Sequence, residues 1–351
     1  MKLQGHLMSR NTIIATFEGG EIVNADDALL PLYLKRTGDI EGWLRMRAID
    51  THRTNSRLLK KALRLTTEAD EELVLKVHGA TITDTYWFRA EGSVLSFDDV
   101  RFKRNMFAKL ALRGDPDSFN LPYELTPELT NIGSFEKCWH LEDGKWWMIK
   151  KGNDLERFSE LFICKLGLEL NFPMVLYEED NDTLRSLDFT EGASVNYEAA
   201  LGLVGDNEDY SFNFSTFWHI SPLLAEQYLQ ITYLDTLCFN MDRHTLNYGI
   251  LRNVETGKIC AMAPNFDNNI ALFSRGIPRD LERRNDKLIS LFIEFLRQES
   301  QAVAIVQQFP IPCPKMIKRC LTQITSVVDP ILVQDFVLNG IARISESIMS
   351  A

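Results

Sequence analysis

The chain has 351 residues, a formal net charge of -11 at pH 7 and 45% apolar residues. The charge excludes a broad nucleic-acid-binding face, which needs clustered Lys and Arg. The absence of any run of about 18 apolar residues excludes a helical membrane span. The length suits two domains or one large two-lobed unit. Cys138, Cys164, Cys238, Cys260, Cys313 and Cys320 show no C-x-x-C spacing, which predicts reduced thiols and no zinc site. Met1 to His6 lacks an apolar secretion core, so a cytoplasmic location is expected, with an effector role outside the cell as the alternative.

In chain order, Thr12 to Phe17 and Leu29 to Leu34 read as short strands. Leu58, Leu59, Ala62 and Leu63 make an amphipathic helix over 55–65. A second helix over 70–77 stops at Gly79. Thr81 to Phe88 turns extended and aromatic. The helix pair reads as a packing module rather than a helix-turn-helix, because no second basic helix follows. Residues 93–123 read as a short helix and a turn-rich connector around Gly114.

Phosphate-site features follow. Leu129 to Trp139 carries Gly133 and Ser134 next to a strand, where backbone N–H groups can meet phosphate oxygens. It is not a Walker loop, since G-x-x-x-x-G-K-[ST] is absent. Asp143-Gly144 predicts a hairpin turn before Lys145 to Lys150. Alternation puts Met148 and Lys150 on one strand face, with Lys151 on the other as the competing phosphate contact. Asp154 to Leu168 reads as a helix carrying Glu160, a candidate partner for Lys150. Pro173 to Tyr177 and Thr183 to Phe189 form a hairpin with an acidic tip at 178–182. Arg185 to Thr190 then reads as a hinge between a sheet domain and a helical one. Ser221-Pro222 starts a helix by a capping hydroxyl and a first-turn proline. That helix runs toward Met241 and delivers Asp242. Helices over 286–297, 314–324 and 333–348 close the chain.

The informative stretch is Asp242 to Asn247, then an apolar hairpin strand, then Asp267 in Ala263-Pro-Asn-Phe-Asp267. Acid, amide, hairpin, acid is the order in which kinases place a hydroxyl-handling Asp and two magnesium ligands. The pieces Ile132-Gly-Ser-Phe-Glu-Lys137, Met148-Ile-Lys150, Leu187-Asp-Phe189, Met241-Asp-Arg-His-Thr-Leu-Asn-Tyr-Gly249 and Ala263 to Asp267 resemble the HipA-like kinase family over roughly residues 125–275. Asp-Arg-His-x-x-Asn-[Phe/Tyr]-Gly is its most specific signature. Phe266-Asp267-Asn268 departs from the usual kinase pattern in having no glycine after the acid.

The resemblance implies an α+β, two-lobed protein-kinase-like fold with an antiparallel-sheet N-lobe (125–190) and a helical C-lobe (191–351). Residues 1–124 would be an N-terminal accessory module. It implies transfer of phosphate from ATP, with Mg2+, to Ser or Thr of a protein, and autophosphorylation. Asp242 would be the catalytic base, and Asn247 and Asp267 would hold the metal. Lys150 would contact the phosphates, and His244 would help place the nucleotide. Ile132, Gly133, Ser134, Phe135 and Lys137 would cover the phosphates, while Glu160 and Leu187 complete the nucleotide set. In the toxin members, a serine before the glycine loop is autophosphorylated, and Thr130 or Ser134 stands in that region here. A separate regulatory partner protein is implied, with no direct nucleic-acid or membrane contact. The alternatives are a phosphoinositide-type or small-molecule kinase, for which no basic membrane-facing run is present, and a non-catalytic nucleotide-binding regulator.

Overall fold

A computed structural model describes residues 3–49, 53, 56–65, 69–104, 112, 126–133, 135–325 and 327–348, without the side chains of 347 and 348. The connector around Gly114, and Ser134, fall outside these residues. The chain forms two compact units, each discontinuous in sequence. Met1–Lys151, Glu179–Glu198 and Ile250–Cys260 make the first, and Gly152–Glu178, Ala199–Gly249 and Ala261–Ala351 the second.

The chain opens with strands β1 (Gly5–Ser9), β2 (Thr12–Glu18) and β3 (Glu21–Ala25), then helices α1 (Leu32–Thr37), α2 (Ile40–Arg45), α3 (Ser56–Ala62) and α4 (Asp70–Leu75). Strand β4 (Tyr86–Ala90) returns to pair with β1, giving an antiparallel sheet in the order β3-β2-β1-β4. Period-two alternation buries both faces of its centre. Leu7, Tyr86 and Phe88 join Ile14, Phe17, Trp43 and Leu44 on one side. Met8 and Trp87 join Ala80 and Val100 on the other. The strand expected over Leu29 to Leu34 is instead the start of α1. Pro31 sits at its N-cap and Gly38, at φ 69°, closes it in the left-handed conformation. These two punctuating residues outweigh the apolar run between them.

After the short α5 (Phe97–Val100) and a 3₁₀ turn at Pro127–Thr130 come β5 (Lys137–Glu142) and β6 (Lys145–Lys151). Asp143 (φ 49°) and Gly144 (φ 75°) form the two-residue hairpin turn that the sequence predicts. Helix α6 (Asp154–Glu169) begins with a capping box between Asn153 and Glu156. Strands β7 (Tyr177–Asp180) and β8 (Thr183–Leu187) complete a second sheet, β5-β6-β8-β7. The acidic residues expected as a polar tip are thus largely strand. The extended Pro173–Val175 stretch instead bridges Asn265, whose backbone N–H donates to the Pro173 carbonyl at 2.9 Å and whose backbone carbonyl accepts from the Val175 N–H at 3.0 Å.

Strand β9 (Val195–Ala199), α7 (Leu201–Val204), α8 (Tyr210–Ile220), α9 (Pro222–Cys238), β10 (Gly249–Asn253) and β11 (Ile259–Met262) follow, with a third sheet in the order β11-β10-β9. Helix α8 was not legible from its aromatic, Ser-rich sequence. Asp209 caps it, and Phe214 packs edge-on against Phe295 while Phe217 packs against Tyr228. Helices α10 (Lys287–Gln298), α11 (Ser300–Val306), α12 (Pro314–Thr322) and α13 (Pro330–Ile348) end the chain.

Helix α9 positions what comes next. The Ser221 hydroxyl accepts from the Leu223 N–H, and Pro222 occupies the first turn, as expected. From Leu224 onward the helix is almost wholly buried. It stops at Cys238, short of Met241, because Phe239 turns left-handed at φ 56°. Its last carbonyls are met by Arg283, which donates to the Thr236 and Leu237 oxygens at 2.6 Å each and pairs with Asp286. A side chain at Gly340 would collide with that guanidinium, so the glycine makes room for the cap.

Candidate active site

In the second unit, three segments bring the acidic motif residues together. Asp235, buried near the end of α9, accepts from Asn240 Nδ2 at 2.8 Å. Asn240 Oδ1 in turn accepts from the Asp242 N–H at 3.2 Å. Asp242 therefore stands four residues beyond the helix, on a loop tied back to it. Asn247 Nδ2 donates to the Asp242 carbonyl at 2.9 Å, which leaves Oδ1 as the end of that amide able to meet a cation. His244 Nδ1 accepts from the Leu246 N–H at 3.3 Å, so its proton sits on Nε2 when the ring is neutral.

Asp267 adopts φ 62°. Its N–H and that of Asn268 donate to the two oxygens of Glu160, at 3.0 and 3.1 Å. Glu160 is fully buried on α6, so it is no exposed helix charge. Its carboxylate grips the backbone of the turn that presents Asp267. The left-handed residue of the turn is Asp267 itself, a conformation that aspartate tolerates better than most residues.

One residue that the sequence reading did not single out joins these parts. Arg243 makes a two-pronged pair with Asp235 at 2.8 and 3.0 Å. It also donates to the Asn247 and Phe266 carbonyls, at 2.6 and 2.8 Å, and to Asn265 Oδ1 and Asn268 Oδ1, at 2.9 and 2.7 Å. Burial pulls its guanidinium down, but Asp235, with smaller contributions from Asp267 and Glu160, holds it above its ordinary value. The available signal was the asparagine-rich run from Asn265 to Asn269 and an arginine directly after the motif acid.

Burial raises the Asp242 pKa. His244 opposes this, the negative charge of Asp267 adds to it, and Arg243 and Arg275 oppose it. A carboxylate whose pKa is raised is, once ionised, a better proton acceptor than an ordinary one.

The first unit holds the glycine loop and the strand lysine. Glu128 is fully buried. It accepts from the Trp139 N–H at 2.7 Å and from Asn131 Nδ2 at 3.0 Å, and lies 3.7 Å from Arg53. Arg53 also donates to the Lys137 carbonyl. Both ends of the loop are thereby fixed. Gly133 has φ 110°, and a Cβ there would run into the Lys137 side chain. Ile132 is exposed and Phe135 half-buried. Thr130 is buried, its hydroxyl donating to the Ala80 carbonyl at 2.9 Å. Lys150 is half-buried on β6, opposite Lys137 in the β5 register. Lys151 is exposed and pairs with Glu136 at 3.1 Å. Leu187 ends β8 exposed. Asp188 follows it buried, accepting from the Thr190 and Gly192 amides at 2.9 and 2.8 Å. Burial raises its pKa, and these bonds oppose the rise.

Among the described residues, no cluster of three or more His, Cys, Asp or Glu side chains could hold a metal alone. The donor set of Asn247 and Asp267 fits Mg2+, which usually takes one or two protein oxygens and completes its shell with phosphate and water.

The small antiparallel sheets, the helical remainder and this run of acid, amide, hairpin and acid define a protein-kinase-like fold. More particularly, the fold is HipA-like. HipA of Shewanella oneidensis MR-1, in a toxin–antitoxin complex of HipA, HipB and operator DNA, matches 97% of this chain and 97% of its own, with a TM-score of 0.63 at 12% identity. The Helicobacter pylori proinflammatory kinase CtkA matches 61% of this chain and 94% of its own, at 16% identity and a TM-score of 0.42. No protein-family model and no curated protein sequence matches the chain. No helix among the described residues is long and apolar enough to cross a membrane.

Proposed function

We propose that the chain is an ATP- and Mg2+-dependent kinase that phosphorylates Ser or Thr of a protein, itself included. The observation that carries this reading is the joint anchoring of Asp242, Asn247 and the Asp267 turn by Arg243, Asp235 and Glu160. Phosphoryl transfer demands position and charge neutralisation more than covalent chemistry from the protein. A cluster whose backbone is held by buried charged side chains meets that demand.

Asp242 accepts the proton of the attacking hydroxyl as its oxygen bonds to the γ-phosphorus and ADP leaves. Asn247 and Asp267 would hold Mg2+, which when bound neutralises phosphate oxygens. Lys150 contacts ATP phosphates, and His244 helps place the nucleotide. Ile132, Gly133, Ser134 and Phe135 cover the phosphates through their backbone, beside Lys137. Leu187 offers the exposed apolar edge for the base. Glu160 acts through the Asp267 turn. Residues 1–124 serve as an accessory module, and 125–190 and 191–351 as the two lobes. For autophosphorylation, Ser134 is the better acceptor, because the Thr130 hydroxyl is buried and bonded. The HipA neighbour is found with HipB, and a separate regulatory partner is proposed here by analogy.

The test is incubation with labelled ATP and Mg2+, with gel and mass mapping of the product. Asp242→Asn should lower turnover by about 10²–10⁴-fold and keep ATP binding. Asp267→Asn should weaken Mg2+-dependent nucleotide binding. Equal autophosphorylation in wild type and Asp242→Asn would remove Asp242 from the mechanism.

A further inference from the structure

We infer that Arg243, anchored by Asp235, is a positioning residue that fixes the spacing of Asn247 and Asp267, and so sets the preference for Mg2+ over larger divalent cations. This deepens the kinase reading and rests on it. Arg243 holds one carbonyl on each ligand-bearing loop: that of Asn247 itself, and that of Phe266, the residue before Asp267. It also holds the amide oxygens of Asn265 and Asn268, which flank the Asp267 turn. An arginine only donates, so both amides must present oxygen to it, and their orientation is determined.

The guanidinium is itself fixed by the two oxygens of Asp235, a residue of α9 whose end Arg283 caps. Asp235 also reaches the Asp242 backbone through Asn240. The loops are thus referred to one rigid helix end. Glu160 holds the opposite side of the Asp267 turn by its amides. A planar fork with five N–H groups reaches these six acceptors with one Nη2 hydrogen shared, whereas a lysine ammonium cannot span them.

Rigidity matters for the choice of ion. Mg2+ demands near-octahedral oxygens at about 2.0–2.1 Å, while Ca2+ accepts longer and looser shells at about 2.3–2.6 Å. Loosening the spacing should therefore penalise Mg2+ more than Ca2+.

The experiment titrates the full-length protein with MgCl2 or CaCl2 in the presence of a non-hydrolysable ATP analogue, by calorimetry, beside the phosphotransfer assay. Arg243→Lys is expected to weaken Mg2+ by about 10–100-fold, as outer-shell changes do, with a much smaller effect on Ca2+. Asn268→Ala keeps the amide that Glu160 binds, and should shift the Mg2+/Ca2+ ratio in the same direction by less. It serves as the readout if Arg243→Lys does not fold. Ratios unchanged in the folded variants overturn the inference, whatever the activity. Wild type that binds Mg2+-nucleotide without transferring phosphate overturns the kinase reading alone, and the ratio still decides the positioning role. No Mg2+-dependent nucleotide binding by wild type overturns both.

Discussion

Glu128 and Glu160 are both fully buried, and both hold the backbone of a loop that the proposed function needs. They do so under different electrostatic terms. Glu128, in the first unit, faces Arg53 and takes one backbone amide. Glu160, in the second, takes two successive amides, and acts on Arg243 only as a minor charge behind Asp235. One loop is held by an ion pair that happens to reach a strand. The other is held by a carboxylate used as an amide clamp. The glycine loop retains an exposed Ile132 between its anchored ends, whereas the Asp267 turn is bonded through its backbone on both sides. Under the proposed function, the arrangement would suit a loop that admits a nucleotide and a turn that holds a metal ligand still.

The largest expected effect is on the ion pair. Glu128→Ala leaves Arg53, whose pKa burial already lowers, without its main compensating charge. It should cost about 3–5 kcal/mol in urea unfolding of the full chain. Glu128→Leu with Arg53→Met should recover part of this, because no charge is then left buried without its partner. The remaining deficit is what the Trp139 N–H, the Asn131 side-chain amide and the Lys137 carbonyl lose with the pair, about 1–3 kcal/mol where water replaces part of it. No recovery in the double variant would show that Glu128, too, is principally an amide clamp, and the contrast would collapse.

Glu160→Ala comes next. It leaves the Asn268 amide without its Glu160 acceptor and the Asp267 amide with only the Tyr177 hydroxyl at 3.5 Å, at about 1–3 kcal/mol for each bond lost if no water enters. Here a compensating apolar change at Arg243 should recover nothing, because the unmet donors are backbone. Amide hydrogen exchange at Asp267 and Asn268 should accelerate in the variant. Unchanged exchange there would remove Glu160 from its role in the turn.

These two glutamates also show how far the sequence could be read. Asp242, Asn247 and Asp267 were legible because their order and spacing are local. So were the Ser221-Pro222 helix start and the Asp143-Gly144 hairpin, each fixed by its own residues. Glu160 stood out as a candidate by its place on α6. Its amide partners, however, lie more than a hundred residues later, on a turn whose left-handed Asp267 no periodicity announces. Asp235 and Arg243 were hidden for the same reason. A helix aspartate and a motif arginine look ordinary until folding brings Asn265 and Asn268 to them. Glu128 lay just before the glycine loop and gave no signal, because its meaning depends on Arg53, seventy-five residues earlier.

A smaller effect tests the looser of the two loops. Gly133→Ala must place a Cβ at φ 110° and displace the Lys137 side chain. The strain is about 1–3 kcal/mol. Because the loop is held at its ends, the change should appear mainly as a raised KM for ATP, with Mg2+ affinity in the analogue titration little altered. The reverse pattern, with Mg2+ affinity lost and KM kept, would mean that the glycine loop and the Asp267 turn are not separable in the way the two glutamates suggest.

The smallest effect concerns pH, and it tests whether the clamped loop also tunes its acid. Asp242 is lifted above its ordinary value of 3.8 chiefly by burial, with the positive charge of His244 the main opposing influence. The base must be ionised to accept a proton, so activity falls as pH drops through the raised pKa. The acid limb of kcat/KM should therefore sit above that of an ordinary aspartate. Replacing His244 by Asn removes the opposing charge, and the limb should move to still higher pH. Arg275→Gln should move it in the same direction by less, since Arg275 is the weaker influence. A limb that shifts downward in His244→Asn would mean that another group governs it, and that the raised Asp242 is not the proton acceptor.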